Sequence, residues 1–210
     1  MSLISLCILA SKEGEISIAH ILYDTSKFSF IGIETIKEFI SFGFIEVATR
    51  SEIDKRMVLS TSEYGGILFN VLLRGDGIGV GVLTNQTYPK NTITYIIHRS
   101  FEVFYERGEW NELTQSFNVE GTIQQCKTEL KYLFEHFGRE RNMELSKEEM
   151  IKNELDEINE KMGCLITKLV SREEDLADVV TKSEVLSERS KKLYKRTKKA
   201  KRCHVPCVIL

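Results

Sequence analysis

The sequence predicts an α+β protein: an antiparallel five-stranded sheet with flanking helices, followed by a long coiled-coil helix. Of the 19 aromatic residues, 18 lie in residues 1–138, and 12 of the 13 glycines lie there too. Aromatic side chains fill cores and glycines make the turns between strands, so residues 1–138 can build a globular core. Residues 139–202 cannot bury much on their own, and their apolar side chains recur with a period of 3.5 residues.

Charge divides the chain in the same way. The net charge is −5 in residues 1–138 and −6 in residues 139–188, whereas residues 189–202 carry nine basic and no acidic side chains. A basic block of this density predicts an anionic partner. We therefore expect a globular domain over 1–138, a coiled-coil segment with its basic stretch over 139–202, and a tail over 203–210.

Composition excludes several protein classes. With 42% hydrophobic and 29% charged residues, the chain has the composition of a globular protein. No window approaches 18 consecutive apolar residues, so we expect no transmembrane helix. The five cysteines are scattered and odd in number, which predicts reduced thiols and a cytosolic chain.

The elements of residues 1–138 follow from local patterns. Arg74-Gly75-Asp76-Gly77 between two apolar runs is typical of a hairpin turn, and Pro89 suits the start of a helix. The order taken from the chain is β-β-α-β-β-β-α-α, an antiparallel meander with helices on its faces. Six segments are strand candidates, one more than the five strands of that order: 2–9, 16–23, 44–50, 56–61, 67–73 and 78–84. The predicted helices are 31–42, 90–107 and 121–137.

Residues 1–138 contain no pattern typical of an active site. The four histidines have no acidic or cysteine partner at metal-ligand spacing. The alternating glycines from Gly75 to Gly81 do not match a phosphate-binding loop; in a strand they leave one face bare, so that another element can approach closely. We predict no catalytic residue, no metal, no cofactor and no enzymatic activity.

Three phenylalanines, Phe39, Phe42 and Phe44, lie within six residues. They indicate either ordinary core packing or an exposed apolar groove that receives a lipid or the long helix in an autoinhibited state. The sequence leaves both alternatives open.

The long helix has a single apolar seam. Steps of four and three residues from Ile151 to Ala200 pass through 15 positions, of which 11 are apolar, and the residues between them are mostly polar. This pattern indicates a coiled-coil seam about 75 Å long rather than the broad face of a core helix. Its main apolar positions are Ile151, Leu155, Ile158, Met162, Leu165, Leu169, Leu176, Val179, Leu186 and Leu193.

Arg172 is the only charged residue in the seam and lies at its middle. A guanidinium in an apolar seam without acceptors would cost several kcal/mol. The partner helices must therefore supply acceptors at this level, and a single polar layer of this kind fixes register and the choice of partner.

The last four residues, Cys207-Val208-Ile209-Leu210, form a C-a-a-X lipidation signal. The terminal Leu favours geranylgeranylation of Cys207 by a prenyltransferase. Cys203, next to the basic residues, is a candidate for S-palmitoylation. A lipid chain together with the basic residues 189–202 suits stable anchoring to an anionic membrane surface, whereas the absence of interleaved aromatic residues argues against nucleic acid.

The chain resembles the longin-type R-SNAREs, the synaptobrevin-related fusion proteins, and among them the prenylated kind that lacks a transmembrane segment. The resemblance covers essentially the whole chain. It rests on the order of elements, on the C-terminal signal and on four residue strings. Two strings lie in the long helix: Leu169-Val170-Ser171-Arg172-Glu173-Glu174-Asp175-Leu176 and Lys182-Ser183-Glu184-Val185-Leu186. Two lie in the N-terminal domain: Tyr23-Asp24-Thr25-Ser26-Lys27-Phe28-Ser29-Phe30 and Tyr88-Pro89.

The resemblance implies a longin (profilin-like) domain over 1–138 and a SNARE motif that joins three glutamine-SNARE helices in a parallel four-helix bundle, with Arg172 at the central layer. It further implies vesicle-membrane fusion in intracellular trafficking and an intramolecular contact between the longin domain and the SNARE helix. The protein would be cytoplasmic, and lipid-anchored on the cytoplasmic face of Golgi, ER–Golgi, endosomal or vacuolar membranes. The alternative is a prenylated coiled-coil adaptor or tether without fusion activity, which has no need of one charge at the centre of the seam.

Overall fold

The computed structural model describes residues 2–24, 26, 33–61, 66–108, 110–111 and 116–139. The predicted SNARE seam with Arg172 and the lipidation residues Cys203 and Cys207 lie outside these residues. The boundary between 1–138 and 139–202 and the tail over 203–210 therefore stay predictions.

Five strands form one antiparallel sheet in the order β2-β1-β5-β4-β3, with α1 on one face and α2 and α3 on the other. A two-stranded hairpin, β6–β7, lies between α2 and α3 in the chain and was not predicted. The predicted α+β class and the five-stranded sheet with flanking helices are confirmed. The predicted meander is wrong, because β1 lies between β2 and β5, and β2 and β3 lie at opposite edges of the sheet. The elements are β1 Leu3–Lys12, β2 Glu15–Tyr23, α1 Ile33–Thr49, β3 Arg56–Thr61, β4 Ile67–Leu73, β5 Ile78–Asn85, α2 Lys90–Arg107, β6 Trp110–Asn111, β7 Ser116–Phe117 and α3 Val119–Gly138.

The predicted strand at 44–50 is wrong, because α1 continues to Thr49. Phe44, Val47 and Ala48 are all buried, at the i, i+3 and i+4 spacing of one helix face. The β-branched side chains in this stretch favoured a strand locally. Packing of this face against the sheet overrides that preference.

The hairpin between β4 and β5 forms at the predicted turn. The Arg74 amide donates to the Ile78 carbonyl at 2.8 Å, and Gly77 has a φ of +84°, which favours glycine. The Asp76 carboxylate accepts from the Ile78 amide at 3.0 Å and from the Tyr105 hydroxyl at 2.6 Å. The Asp76–Tyr105 bond ties the turn to α2.

The bare face of β5 receives α1, as the alternating glycines predicted. A Cβ at Gly81 would lie 2.6 Å from both Cys7 Sγ and Phe44 Cδ1. The Phe44 ring also meets the Phe69 ring edge to face, at a centroid distance of 5.3 Å. The glycine is thus required by the close approach of α1 to the centre of the sheet.

Gly81→Ala should destabilise the domain by about 2 kcal/mol, because the new methyl group overpacks a closed core. Gly138→Ala is the control: a Cβ there meets nothing within 4 Å, so its effect should stay within about 0.5 kcal/mol. Urea unfolding followed by circular dichroism measures both. Equal stability of the two variants would contradict the close packing at Gly81.

Candidate interaction surfaces

The three phenylalanines singled out by the sequence lie in the core on the α1 face of the sheet. Phe39 is 5% exposed, Phe42 8% and Phe44 0%. All three belong to one apolar cluster with side chains of β1, β4 and β5. Burial thus favours the core alternative over an exposed groove, because α1 turns this side toward the sheet.

The two described cysteines are small buried side chains rather than reactive thiols. Burial raises the pKa of Cys7, and it also raises that of Cys126, so both thiols are protonated near neutral pH. Within the described ranges, no group of three His, Cys, Asp or Glu side chains is arranged to hold a metal ion.

His20 is a half-buried histidine on β2, opposite Ile8 of β1. Its Nε2 is shielded from solvent and has no hydrogen-bond partner among the residues that the structure describes. Burial lowers the pKa of His20, and the positive charge of Lys127 on α3 lowers it further. The neutral imidazole is therefore the form that suits the packing of α3 over β2.

The end of α3 is fastened to the start of α2 by a buried hydrogen bond. The Tyr88 hydroxyl, one residue before Pro89, donates to the Phe137 carbonyl at 2.8 Å. Burial raises the pKa of Tyr88, so the hydroxyl keeps the proton that it donates. This contact fixes the position of the C-terminal end of α3. In the sequence, Tyr88 stood out only through the Tyr-Pro pair that precedes a predicted helix.

A surface groove of about 480 Å³ lies between α2 and α3. Tyr95, Tyr132 and the buried Leu133 and Phe137 line it, together with Arg99 and Glu129, which carry charges of opposite sign. The Tyr95 and Phe137 rings meet edge to face at 5.5 Å, and Tyr132 is 70% exposed. Sequence analysis missed this groove because its walls come from two separate helices.

A second surface cavity, of about 400 Å³, lies where the C-terminal end of α3 meets β1 and β2. Leu3, Leu22 and Phe134 line it, and charged side chains of both signs, among them Lys131 and Glu135, surround them. Charges of both signs select no particular ligand.

No helix in the described part of the chain is long and apolar enough to span a bilayer.

A family model described as Synaptobrevin matches residues 147–205. The chain is 26% identical to a Synaptobrevin homolog YKT6 from Saccharomyces cerevisiae, over 89% of this chain and 88% of that protein. It is 25% identical to the protein of the same name from Yarrowia lipolytica over the same shares. The match to the Synaptobrevin homolog ykt6 of Schizosaccharomyces pombe, at 26% identity, covers the whole of both chains.

The stability of the domain should fall as the pH drops below about 6.5, the ordinary pKa of histidine. The pKa of His20 is lower in the folded than in the unfolded chain, so the unfolded chain takes up the proton first. The His20 contribution to the free energy of unfolding therefore declines from pH 6.5 down to the folded pKa of His20 and is constant below it.

Denaturant unfolding of the parent chain and of His20→Gln across this pH range measures the His20 contribution. The glutamine variant should lose that part of the decline, and Lys127→Gln should reduce it. The same decline in the parent and in His20→Gln would contradict the assignment to His20.

Proposed function

The chain resembles the longin-type R-SNAREs of the Ykt6 kind, and on this premise we propose that it contributes one helix to a parallel four-helix bundle that drives vesicle-membrane fusion. The resemblance is confirmed by the synaptobrevin match and by the relatives, and it supports a SNARE role in trafficking. SNAREs are a non-enzymatic family, in agreement with the prediction of no enzymatic activity. The family also implies that other SNARE helices are the partners.

The observation that carries the proposal is the match over residues 147–205, because this range contains the whole predicted seam. A helix with one apolar stripe cannot bury it alone, so it is stable only against partner helices. Three glutamine-SNARE helices supply the rest of the bundle, and their amide oxygens accept from Arg172. Zippering toward the C-terminal anchor would then draw two membranes together.

The proposed anchor is lipid. The Cys207 thiolate would attack a prenyl diphosphate bound by the prenyltransferase, with formation of a thioether and release of diphosphate. The basic residues 189–202 would add about 1 kcal/mol each at an anionic leaflet, and palmitoylation of Cys203 would supply a second chain. The protein would then lie peripherally on the cytoplasmic face of Golgi, ER–Golgi, endosomal or vacuolar membranes.

An intramolecular contact between the longin domain and the SNARE helix is part of the proposal. Before it meets partner helices, the seam exposes an apolar stripe about 75 Å long. Contact with the folded domain would shelter that stripe and the lipid while the protein is off the membrane.

Cys207→Ser should move the protein from the membrane to the soluble fraction, because basic residues alone bind a leaflet weakly and are screened by salt. Cell fractionation at low and high salt measures this. Cys203→Ser is the comparison and should shorten residence on the membrane without abolishing it. Membrane association of Cys207→Ser that persists in high salt would contradict the lipid anchor.

Arg172→Glu should destabilise the complex with cognate glutamine-SNARE helices by about 3 kcal/mol or more, because its carboxylate faces buried acceptors with no compensating charge. Arg172→Gln should be partly tolerated, since glutamine side chains bond to one another. The melting temperature of the assembled helices is the measurement. If Arg172→Glu melts like the parent, Arg172 is not in the bundle core and the chain is better described as a prenylated adaptor.

A further inference from the structure

The groove between α2 and α3 is lined by a continuous row of aromatic rings. The Phe137 ring contacts the Tyr95 ring edge to face at a centroid distance of 5.5 Å and the His136 ring at 4.8 Å. The His136 ring in turn lies 5.9 Å from that of Tyr132, which exposes 70% of its surface. All four residues line the groove. An exposed aromatic side chain beside a concave surface indicates an interaction site, because aromatic residues are enriched in protein interfaces.

The charged side chains of the groove already have partners within the domain. The Arg99 guanidinium lies 2.6 Å from the Glu102 carboxylate and 3.5 Å from that of Glu106. The Glu129 carboxylate accepts from Arg107 at 2.8 Å. The lining charges are thus compensated inside the domain, whereas recognition of phosphorylated or acidic segments needs a cluster of basic groups. The groove therefore suits an uncharged ligand.

The walls of the groove restrict the backbone conformation of a peptide ligand. Every lining residue belongs to α2 or α3, whose backbone groups bond within the helices, so the lining offers an added β-strand no ladder partners. The groove volume, about 480 Å³, is close to that of one turn of an α-helix, about 420 Å³ for a cylinder about 10 Å wide. One turn is too short to be stable as a helix. A polyproline II segment is the conformation that fits, because it needs no internal hydrogen bonds and docks in aromatic-lined grooves.

The length of the groove matches a short segment of this kind. Along α3 the lining runs from Thr128 to Phe137, which is about 14 Å at about 1.5 Å per residue. Polyproline II rises about 3.1 Å per residue, so about four or five residues span the groove and the prolines of a Pro-x-x-P sequence lie about 9 Å apart. The chain has two prolines, Pro89 and Pro206, and therefore contains no Pro-x-x-P segment. The occupant that fits is a segment of a different protein.

We propose that the α2–α3 groove is a docking site for a proline-rich segment of a partner protein in the polyproline II conformation. Proline rings pack on the Tyr95 and Tyr132 rings, and the Tyr132 hydroxyl donates to a carbonyl group of the segment, because polyproline II leaves its carbonyl groups without internal partners. The site goes beyond the proposed role in a helical bundle and does not rest on it, since all of its residues lie in the N-terminal domain.

Fluorescence anisotropy of a labelled decaproline peptide, titrated with the full chain, tests the site, and a glycine–serine peptide of the same length is the peptide control. Tyr132→Ser should weaken decaproline binding by about fivefold or more, since the loss of one aromatic contact accounts for a factor of this order. Tyr132→Phe keeps the ring and should restore most of the affinity. Thr128→Trp fills the groove and should abolish binding. Gln125→Ser, at an exposed position of α3 outside the lining, is the matched control and should bind like the parent.

Three results would overturn the proposal. No binding of decaproline, or equal binding of decaproline and the glycine–serine peptide, would show that the groove does not select polyproline II. Equal affinity of the parent, Tyr132→Ser and Thr128→Trp would place the peptide elsewhere on the protein. Self-association in sedimentation velocity that both variants abolish and decaproline does not displace would show that a second copy fills the groove. Both variants change exposed positions, and circular dichroism identifies one that unfolds, in which case the other decides.

Discussion

The need to cover both faces of the sheet is the constraint on which the rest of the structure depends. In β1, Leu6 and Ile8 face α2 and α3, whereas Cys7 and Leu9 face α1, and all four are at most 1% exposed. A strand that is apolar on both faces needs a layer of helices on each side. The first 138 residues supply these layers, and the aromatic side chains of the chain are almost all used there.

The concentration of core-forming residues in one part has a consequence for the other. Residues 139–202 carry a narrow apolar stripe but no side chains with which to close a core of their own. A stripe of this kind predicts burial against helices from other chains or against the folded N-terminal domain. The same distribution of residues that stabilises the N-terminal domain therefore predicts a C-terminal segment that depends on partners, in agreement with the proposed role in a helical bundle.

Much of the fold could be predicted because it is encoded locally. The apolar runs of the strands, the Arg74–Gly77 turn and the helix after Pro89 each depend on residues close together in the chain, and all are present in the structure. The stretch after Phe42 could not be predicted correctly. Its β-branched residues favour a strand by themselves, and only the sheet beneath them makes the helical spacing of Phe44, Val47 and Ala48 decisive.

The sequence by itself predicts the division of the chain, the period of the seam with Arg172 at its centre and the C-a-a-X signal, because each is a pattern of neighbouring residues. The tertiary structure alone decided which surfaces are free. The phenylalanines of α1 are buried, His20 lies under α3 near Lys127, and Tyr95 and Tyr132 line the same groove. These relations link residues tens of positions apart, and they follow from the direction in which each helix packs on the sheet, which local sequence does not specify.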